Sequence, residues 1–286
     1  MEESRRLRLE QVYASHPVAA AAVLDRVRQQ RHSLQGLREA DLAEAPAGWI
    51  TDQNHAGGAL MTRSLANSLA LKPSDVVLDV GAGIGGTVRL FAEECDCRCH
   101  GIELTSARFR DAVELTRLVG LSDRVTFTQG DFLEIHASRP YDVVVAQGAT
   151  MHFPDFVEFV HRVSTHLQVG GRLAIEDAVL TESAAQAADE QGELIARLEV
   201  HWNGQFQTLR SWTRVLTDCG FHVDAVTDFS TIAIEDFRQA LHHFSQYPSP
   251  SITTEEMAGS VLGLRLFESG TLQHVRLIAT KGSAGI

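Results

Sequence analysis

From residue 76 onward the chain alternates short apolar runs with longer amphipathic stretches. Val76-Val77-Leu78-Asp79-Val80 is almost wholly apolar, as a parallel strand buried on both faces requires. Thr87 to Glu94 then reads as helix, Arg98 to Leu104 as a second strand, Ser106 to Val119 as helix and Arg124 to Gly130 as a third strand. Tyr141 to Gln147 predicts a fourth strand, Phe156 to Leu167 a helix and Gly171 to Asp177 a fifth strand. Residues 183–200 and Ser211 to Cys219 follow as helices, and His222 to Asp228 and His274 to Thr280 as two late strands. Such alternation predicts an α/β fold: a doubly wound, Rossmann-like, mostly parallel seven-stranded sheet with helices on both faces.

The flanks read differently. Residues 5–44 carry helical spacing, a polar, glycine-bearing break runs from Gly48 to Gly58, and Gly58 to Leu71 is helical again. The chain thus divides into an N-terminal helical cap over 1–70, a ligand-binding core over 71–182, and a last part over 183–286. That last part is expected to supply a lid insertion and to complete the sheet.

Charge narrows the partners. Against 37 acidic residues stand 25 basic ones, for a net charge of −12, and only Lys72 and Lys281 are lysines. Affinity for phosphate backbones comes from clustered cations, so neither nucleic acid nor an anionic membrane is expected as a partner. Small molecules and other proteins remain, and a homo-oligomer is compatible with the composition. No apolar run follows Met1 to Arg8, so no secretory signal is expected, and no apolar stretch has transmembrane length. Cys95, Cys97 and Cys99 alternate, while Cys219 stands apart; zinc sites favour matched CxxC pairs. The expectation is reduced thiols, no metal site and a cytoplasmic location.

The strongest local signal is Asp79-Val80-Gly81-Ala82-Gly83-Ile84-Gly85-Gly86, which follows the first strand and opens a helix. Glycines there let the backbone turn tightly and approach a ligand. Alone the pattern is weak; its neighbours sharpen it. Glu103 ends the second strand, where a carboxylate can accept from ribose hydroxyls. Gly130-Asp131-Phe132 follows the third, offering an acid and a ring to an adenine. The cradle contains no cation to meet a pyrophosphate, and in a nicotinamide-binding Rossmann domain the third-strand Gly130-Asp131 and the Val169-Gly170-Gly171 turn would have no role.

These segments resemble the binding core of class I S-adenosylmethionine-dependent methyltransferases. The resemblance runs over roughly residues 52–180 and includes Tyr141 to Gln147 and Leu167-Gln168-Val169-Gly170-Gly171-Arg172-Leu173. It implies S-adenosyl-L-methionine as cofactor, with Asp79, Gly81 and Gly83 in the first motif and the two glycines along the methionine portion. It further implies Glu103, with Leu104 beside it, at the ribose, Asp131 and Phe132 at the adenine, and Gln147 facing the methionine end and the substrate. A closer similarity is to the small-molecule branch of sarcosine and dimethylglycine methyltransferases and natural-product enzymes, through Asp52-Gln53-Asn54-His55. That branch also carries a Gln-Asp-Ala…His stretch. Here it reads Gln147-Gly148-Ala149-Thr150-Met151-His152, and the missing aspartate counts against a betaine-type substrate.

Methyl transfer from a sulfonium is an in-line displacement, so the protein must align the partners and exclude water. An acceptor hydroxyl or carbon acid also needs a base. Two catalytic candidates lie near strand ends: His152, after strand four, and Glu176, in Glu176-Asp177 at the end of strand five. Alternation sends those two carboxylates to opposite faces, so only one can face the pocket. Tyr13, Trp49, Phe153, Trp202 and Phe206 could form an apolar cover, His201-Trp202 could touch the acceptor, and Arg210 with Arg214 could clamp an anion. The expected function is methyl transfer to a small, specialised-metabolite acceptor. Its alternatives are C-methylation of an isoprenoid or other alkene with Glu176 as base, or a cofactor-binding cyclase that transfers no methyl.

Overall fold

In the computed structural model, residues 2–14, 16–137, 139–187, 190–246 and 254–283 are described. Four helices precede the sheet: α1 (Glu2–Ala14), α2 (Ala20–Arg31), α3 (Glu39–Ala43) and α4 (Gly58–Ser68). The sequence then alternates β1 (Val76–Val80), α5 (Gly86–Glu94), β2 (Arg98–Glu103), α6 (Ser106–Leu118), β3 (Val125–Gln129), β4 (Tyr141–Gln147), α7 (Phe156–His166) and β5 (Leu167–Leu180). It closes with α8 (Glu190–Trp202), α9 (Leu209–Asp218), β6 (Phe221–Asp228), α10 (Ser230–Gln246), α11 (Thr254–Glu268) and β7 (Leu272–Lys281).

The strands form one seven-stranded sheet in the order β3-β2-β1-β4-β5-β7-β6. β1 to β5 pair in parallel, and β7 runs antiparallel between β5 and β6. The chain winds outward from β1 to β3 and then returns to β4 beside β1. Such a reversal opens a crevice above the carboxyl ends of those two strands, where open α/β sheets bind ligands.

Both faces of the sheet are buried, which explains the continuous apolar runs. Leu78, Val80, Val144 and Ile175 pack with Phe159, Val160 and Trp212 of α7 and α9. On the other face Val77, Val143 and Val145 meet Leu65 and Leu69 beside Val88 and Phe91 of α5. A separate cluster joins Ile195 and Leu198 of α8 to Ala233 of α10, and to Leu266 and Phe267 of α11.

Two elements depart from the sequence expectation. β5 begins at Leu167 and runs to Leu180, beyond the Gly171 to Asp177 segment. Leu167 already pairs with Tyr141 across an irregularity, and Ala178 to Leu180 are held by β7 as far as Leu272, so Gly170-Gly171 does not start the strand. The expected helix over 183–200 instead comprises a short 3-10 turn at Ala184–Gln186 and α8. Asp189, the first acid of the charged run 189–193, lies outside the described residues. Among the described residues no helix is long and apolar enough to cross a membrane.

Candidate active site

A cavity, open in part to solvent, lies where the chain leaves β1 and β4. Asp79, Gly81, Gly83, Glu103, Leu104, Asp131, Phe132, Gln147 and His152 all line it; Glu176 does not. Local geometry explains the glycines. Gly81 has φ +78°, and a Cβ there would lie 2.6 Å from Ala149 Cβ. Its amide and that of Ala82 both donate to Ile102 O, so the loop is laced to β2.

Glu103 fastens the loop further. Its Oε2 accepts the Gly83 amide at 2.9 Å, and Oε1 accepts the Thr105 amide and hydroxyl, each at 2.8 Å. Burial, reinforced by the nearby Glu103 carboxylate, pushes the Asp79 carboxyl up to about 7. Two acids so close would welcome a cationic ligand group. Asp131 Oδ1 accepts the Leu133 amide, while Phe132 meets Phe153 edge-to-face. Acids at three strand ends, with a ring beside the third, suit a nucleoside that carries a positive charge; the residues fit S-adenosylmethionine.

At the other end of the cavity, Asp177 holds the turn that carries His152. Its Oδ2 accepts the Thr150 amide at 2.9 Å and the Thr150 hydroxyl at 2.7 Å. His152 Nδ1 lies 3.1 Å from the Asn203 carbonyl, and Nε2 lies 2.9 Å from the Tyr13 hydroxyl. A carbonyl only accepts, so Nδ1 carries the proton and the neutral ring's Nε2 accepts from Tyr13. Burial lowers the His152 pKa, which favours that neutral form. Tyr13 arrives from α1, which docks through Glu10, whose carboxylate accepts the Ser106 amide and hydroxyl at the start of α6.

Glu176 requires a correction. It is 1% exposed, and its Oε2 is taken by Arg276 Nε and Nη2, each at 2.6 Å. Its Oε1 accepts from Gln147 Nε2 at 3.2 Å. Burial alone would raise its pKa, but neighbouring His274 and the Arg276 charge outweigh that and lower it. A buried carboxylate saturated by a guanidinium is a poor proton acceptor. Glu176 therefore orients Gln147, whose Oε1 accepts the Thr87 hydroxyl at 2.9 Å. Asp177 also lies inside, so neither carboxylate is solvated.

The aromatic cover is smaller than expected. Tyr13 and Phe153 line the cavity, but Trp202 packs on Phe206 and Phe237, and Trp49 on His243. His201 docks against Gly259 of α11, where a Cβ would lie 1.8 Å from its Nε2. Arg210 is exposed, 3.4 Å from Glu182, and lines a different groove with Arg214.

Three features escaped sequence reasoning. Arg108 brings a cation into the cavity, one turn into the helix after Glu103; an arginine at that offset was the available signal. Asn203 holds φ +49°, a left-handed residue that follows α8 and supplies the carbonyl to His152; Asn203-Gly204 marks the helix end locally, but not its partner. Behind the 52–55 segment lies a buried charge cluster: Arg89 Nε donates to Glu39 at 2.7 Å and Nη2 to Asp52 at 2.6 Å. Burial and the Asp52 charge raise the Glu39 pKa, whereas Arg89 prevails over burial at Asp52 and lowers it. Asp52 then accepts from Gln53 Nε2, and Gln53 Oε1 accepts the Thr62 hydroxyl at 2.7 Å. His55 Nε2 lies 3.0 Å from the same Thr62 hydroxyl and Nδ1 lies 3.3 Å from the Ala56 carbonyl, which places another ring at the cavity wall.

Comparison with known proteins agrees with this geometry. A family model described as "Methyltransferase domain" matches residues 71–220. Sterol 24-C-methyltransferase of Eremothecium gossypii is 30% identical over 137 residues, 48% of this chain but only 37% of that protein. The match thus spans little more than a third of that relative's length. The 27-O-demethylrifamycin SV methyltransferase of Amycolatopsis mediterranei is 26% identical over 228 residues, 77% of this chain and 82% of that one. A Galdieria sulphuraria structure assigned as a sarcosine dimethylglycine methyltransferase shares the fold, with a TM-score of 0.70 and 17% identity over 98% of each chain. With the family match covering over half the chain and the seven-stranded sheet around an acid-lined cavity, the chain belongs to the class I S-adenosylmethionine-dependent methyltransferases.

Proposed function

We propose that this chain methylates a small organic acceptor whose reacting atom must lose a proton. The observation that carries this is the His152–Tyr13 pair: a neutral imidazole whose unprotonated Nε2 accepts from the Tyr13 hydroxyl, held inside the same cavity as the acidic nucleoside cradle. S-adenosylmethionine, when bound, supplies a methyl group activated on a sulfonium sulfur. Glu103 and Asp131 would hold its nucleoside end, and Asp79 would favour the positive charge it carries. Gln147, fixed by Thr87 and Glu176, orients the groups at the strand-four tip. His152 Nε2 takes the proton that the acceptor gives up when its bond to the methyl carbon replaces the sulfur–methyl bond, whose electron pair stays on sulfur as a neutral thioether, and Asn203 steadies the resulting imidazolium through Nδ1–H. Tyr13 either yields its place to the acceptor or passes the proton on.

Residues 1–70 act in this reading as a cap, since α1 brings Tyr13 over the cavity; 183–286 supply a lid insertion, since Asn203 follows α8, and complete the sheet with β6 and β7. The similarity to the rifamycin enzyme over most of both chains supports a hydroxyl-bearing, specialised-metabolite acceptor. Four free cysteines support a reducing, cytoplasmic setting. The match to sterol 24-C-methyltransferase supports a second reading, methylation at an alkene carbon, in which the base is His152 rather than the ion-paired Glu176.

The test is incubation with methyl-labelled S-adenosylmethionine and a panel of phenols, alcohols, enolisable ketones, amines and alkenes. Label on oxygen or an acidic carbon supports the main reading, and label on an alkene carbon the second. Turnover confined to amines contradicts both. Tight cofactor binding with no labelled product points to a cyclase or binding protein.

A further inference from the structure

Arg108 sits where an isolated cation is costly. It is 4% exposed, lines the cavity, and its Nη1 has no hydrogen-bond partner among the described residues. Glu103, the nearest acid in sequence, gives its carboxylate to Gly83 and Thr105 instead. Arg108 also lies in the first turn of α6, the end at which the helix dipole disfavours positive charge. An aromatic face compensates in part, with Arg108 Cζ 4.6 Å from the Tyr13 ring centre. Gly83 lets the guanidinium lie close to the glycine loop: it has φ +57°, and a Cβ there would lie 2.8 Å from Arg108 Nη2. A buried guanidinium is tolerated when an anion meets it, and its flat fork matches a carboxylate in two parallel hydrogen bonds.

We propose that Arg108 is an anion receptor of the cavity, taking a carboxylate from the amino-acid end of the cofactor or from an acidic acceptor. The guanidinium then remains unpaired until a ligand arrives, and Tyr13, stacked on it, couples the docking of α1 to that arrival. This rests on the cavity being the cofactor site, and the two claims separate in the test.

Wild type, Arg108→Gln and Arg108→Lys are titrated calorimetrically with S-adenosylhomocysteine and with 5′-methylthioadenosine, which keeps the nucleoside and thioether but has no carboxylate. Sodium benzoate is titrated into the free and the homocysteine-saturated proteins. If the cofactor supplies the anion, Arg108→Gln weakens S-adenosylhomocysteine tenfold or more, leaves methylthioadenosine within twofold, and Arg108→Lys recovers part of the loss. If the acceptor supplies it, both nucleosides bind as in wild type while benzoate binds the saturated wild type and not Arg108→Gln. The proposal also expects ligand-free Arg108→Gln to melt no lower than wild type, because an unpaired buried charge has gone. Equal losses for the two nucleosides, or no change with any ligand, overturn it. A wild type that binds neither nucleoside overturns the cofactor reading instead, and benzoate with the free proteins still decides the arginine's role.

Discussion

The Tyr13 hydroxyl, from a helix at the start of the chain, donates to His152 Nε2 at 2.9 Å across the cavity, although 139 residues separate them. The contact closes α1 over the strand-four turn and leaves His152 with one defined basic nitrogen. His152→Ala should lower methyl transfer by about 10²–10⁴-fold, the usual worth of a positioned general base. Affinity for S-adenosylhomocysteine should change by less than threefold, roughly, because the base serves the acceptor. Tyr13→Phe should cost less. The check is kcat on an acceptor found in the labelled-methyl screen, and an unchanged kcat in His152→Ala removes that residue from the chemistry.

Asp79 makes cofactor affinity depend on pH. Its carboxyl is raised to about 7, by burial first and by Glu103 second. Below pH 7 the free protein holds a proton there, which a bound ammonium or sulfonium would expel. S-adenosylhomocysteine, which bears an ammonium, should therefore gain about tenfold in affinity per pH unit from about 5.5 to 7, then level off. Stability has the opposite sign. The folded acid keeps a proton that the unfolded chain has lost, so this group's contribution falls as pH rises from about 4 to 7. Calorimetry in buffers of different ionisation enthalpy reads the released proton, and Asp79→Asn should flatten both profiles.

Glu176→Gln should act on stability rather than selectively on turnover. It leaves Arg276 charged and buried, and breaking such a pair costs about 3–5 kcal/mol. For a chain of this size that is a fall in melting temperature of roughly 5–8 °C. Replacing both partners, Glu176→Leu with Arg276→Met, should recover much of the loss. A Glu176→Gln protein that melts like wild type yet turns over slowly would restore Glu176 as the base.

Parts of this architecture are plain in the residue order. β1 and β4 occupy the segments that their apolar runs mark, because strands buried on both faces have no polar side to blur their ends. Asp79, Glu103 and Asp131 could be gathered from sequence because parallel strands deliver their carboxyl ends to one edge. The failures have a common cause. Whether Glu176 is a base depends on Arg276, brought beside it by an antiparallel neighbour 100 residues later. Whether Arg108 faces the cavity depends on the rotation of α6, and the proton on His152 depends on a carbonyl at the end of α8. Local pattern shows where a strand ends; it does not show which partner arrives there.

The central claim is that Glu103 anchors a nucleoside cofactor at the end of β2. Titration calorimetry of S-adenosylmethionine into wild type and Glu103→Ala tests it most directly. Wild type should bind with a Kd in the micromolar range and Glu103→Ala at least about 100-fold more weakly, as befits a lost charged hydrogen-bond acceptor together with the Gly83 tether. Near-equal affinities in the two proteins, or no binding by wild type, would contradict the account.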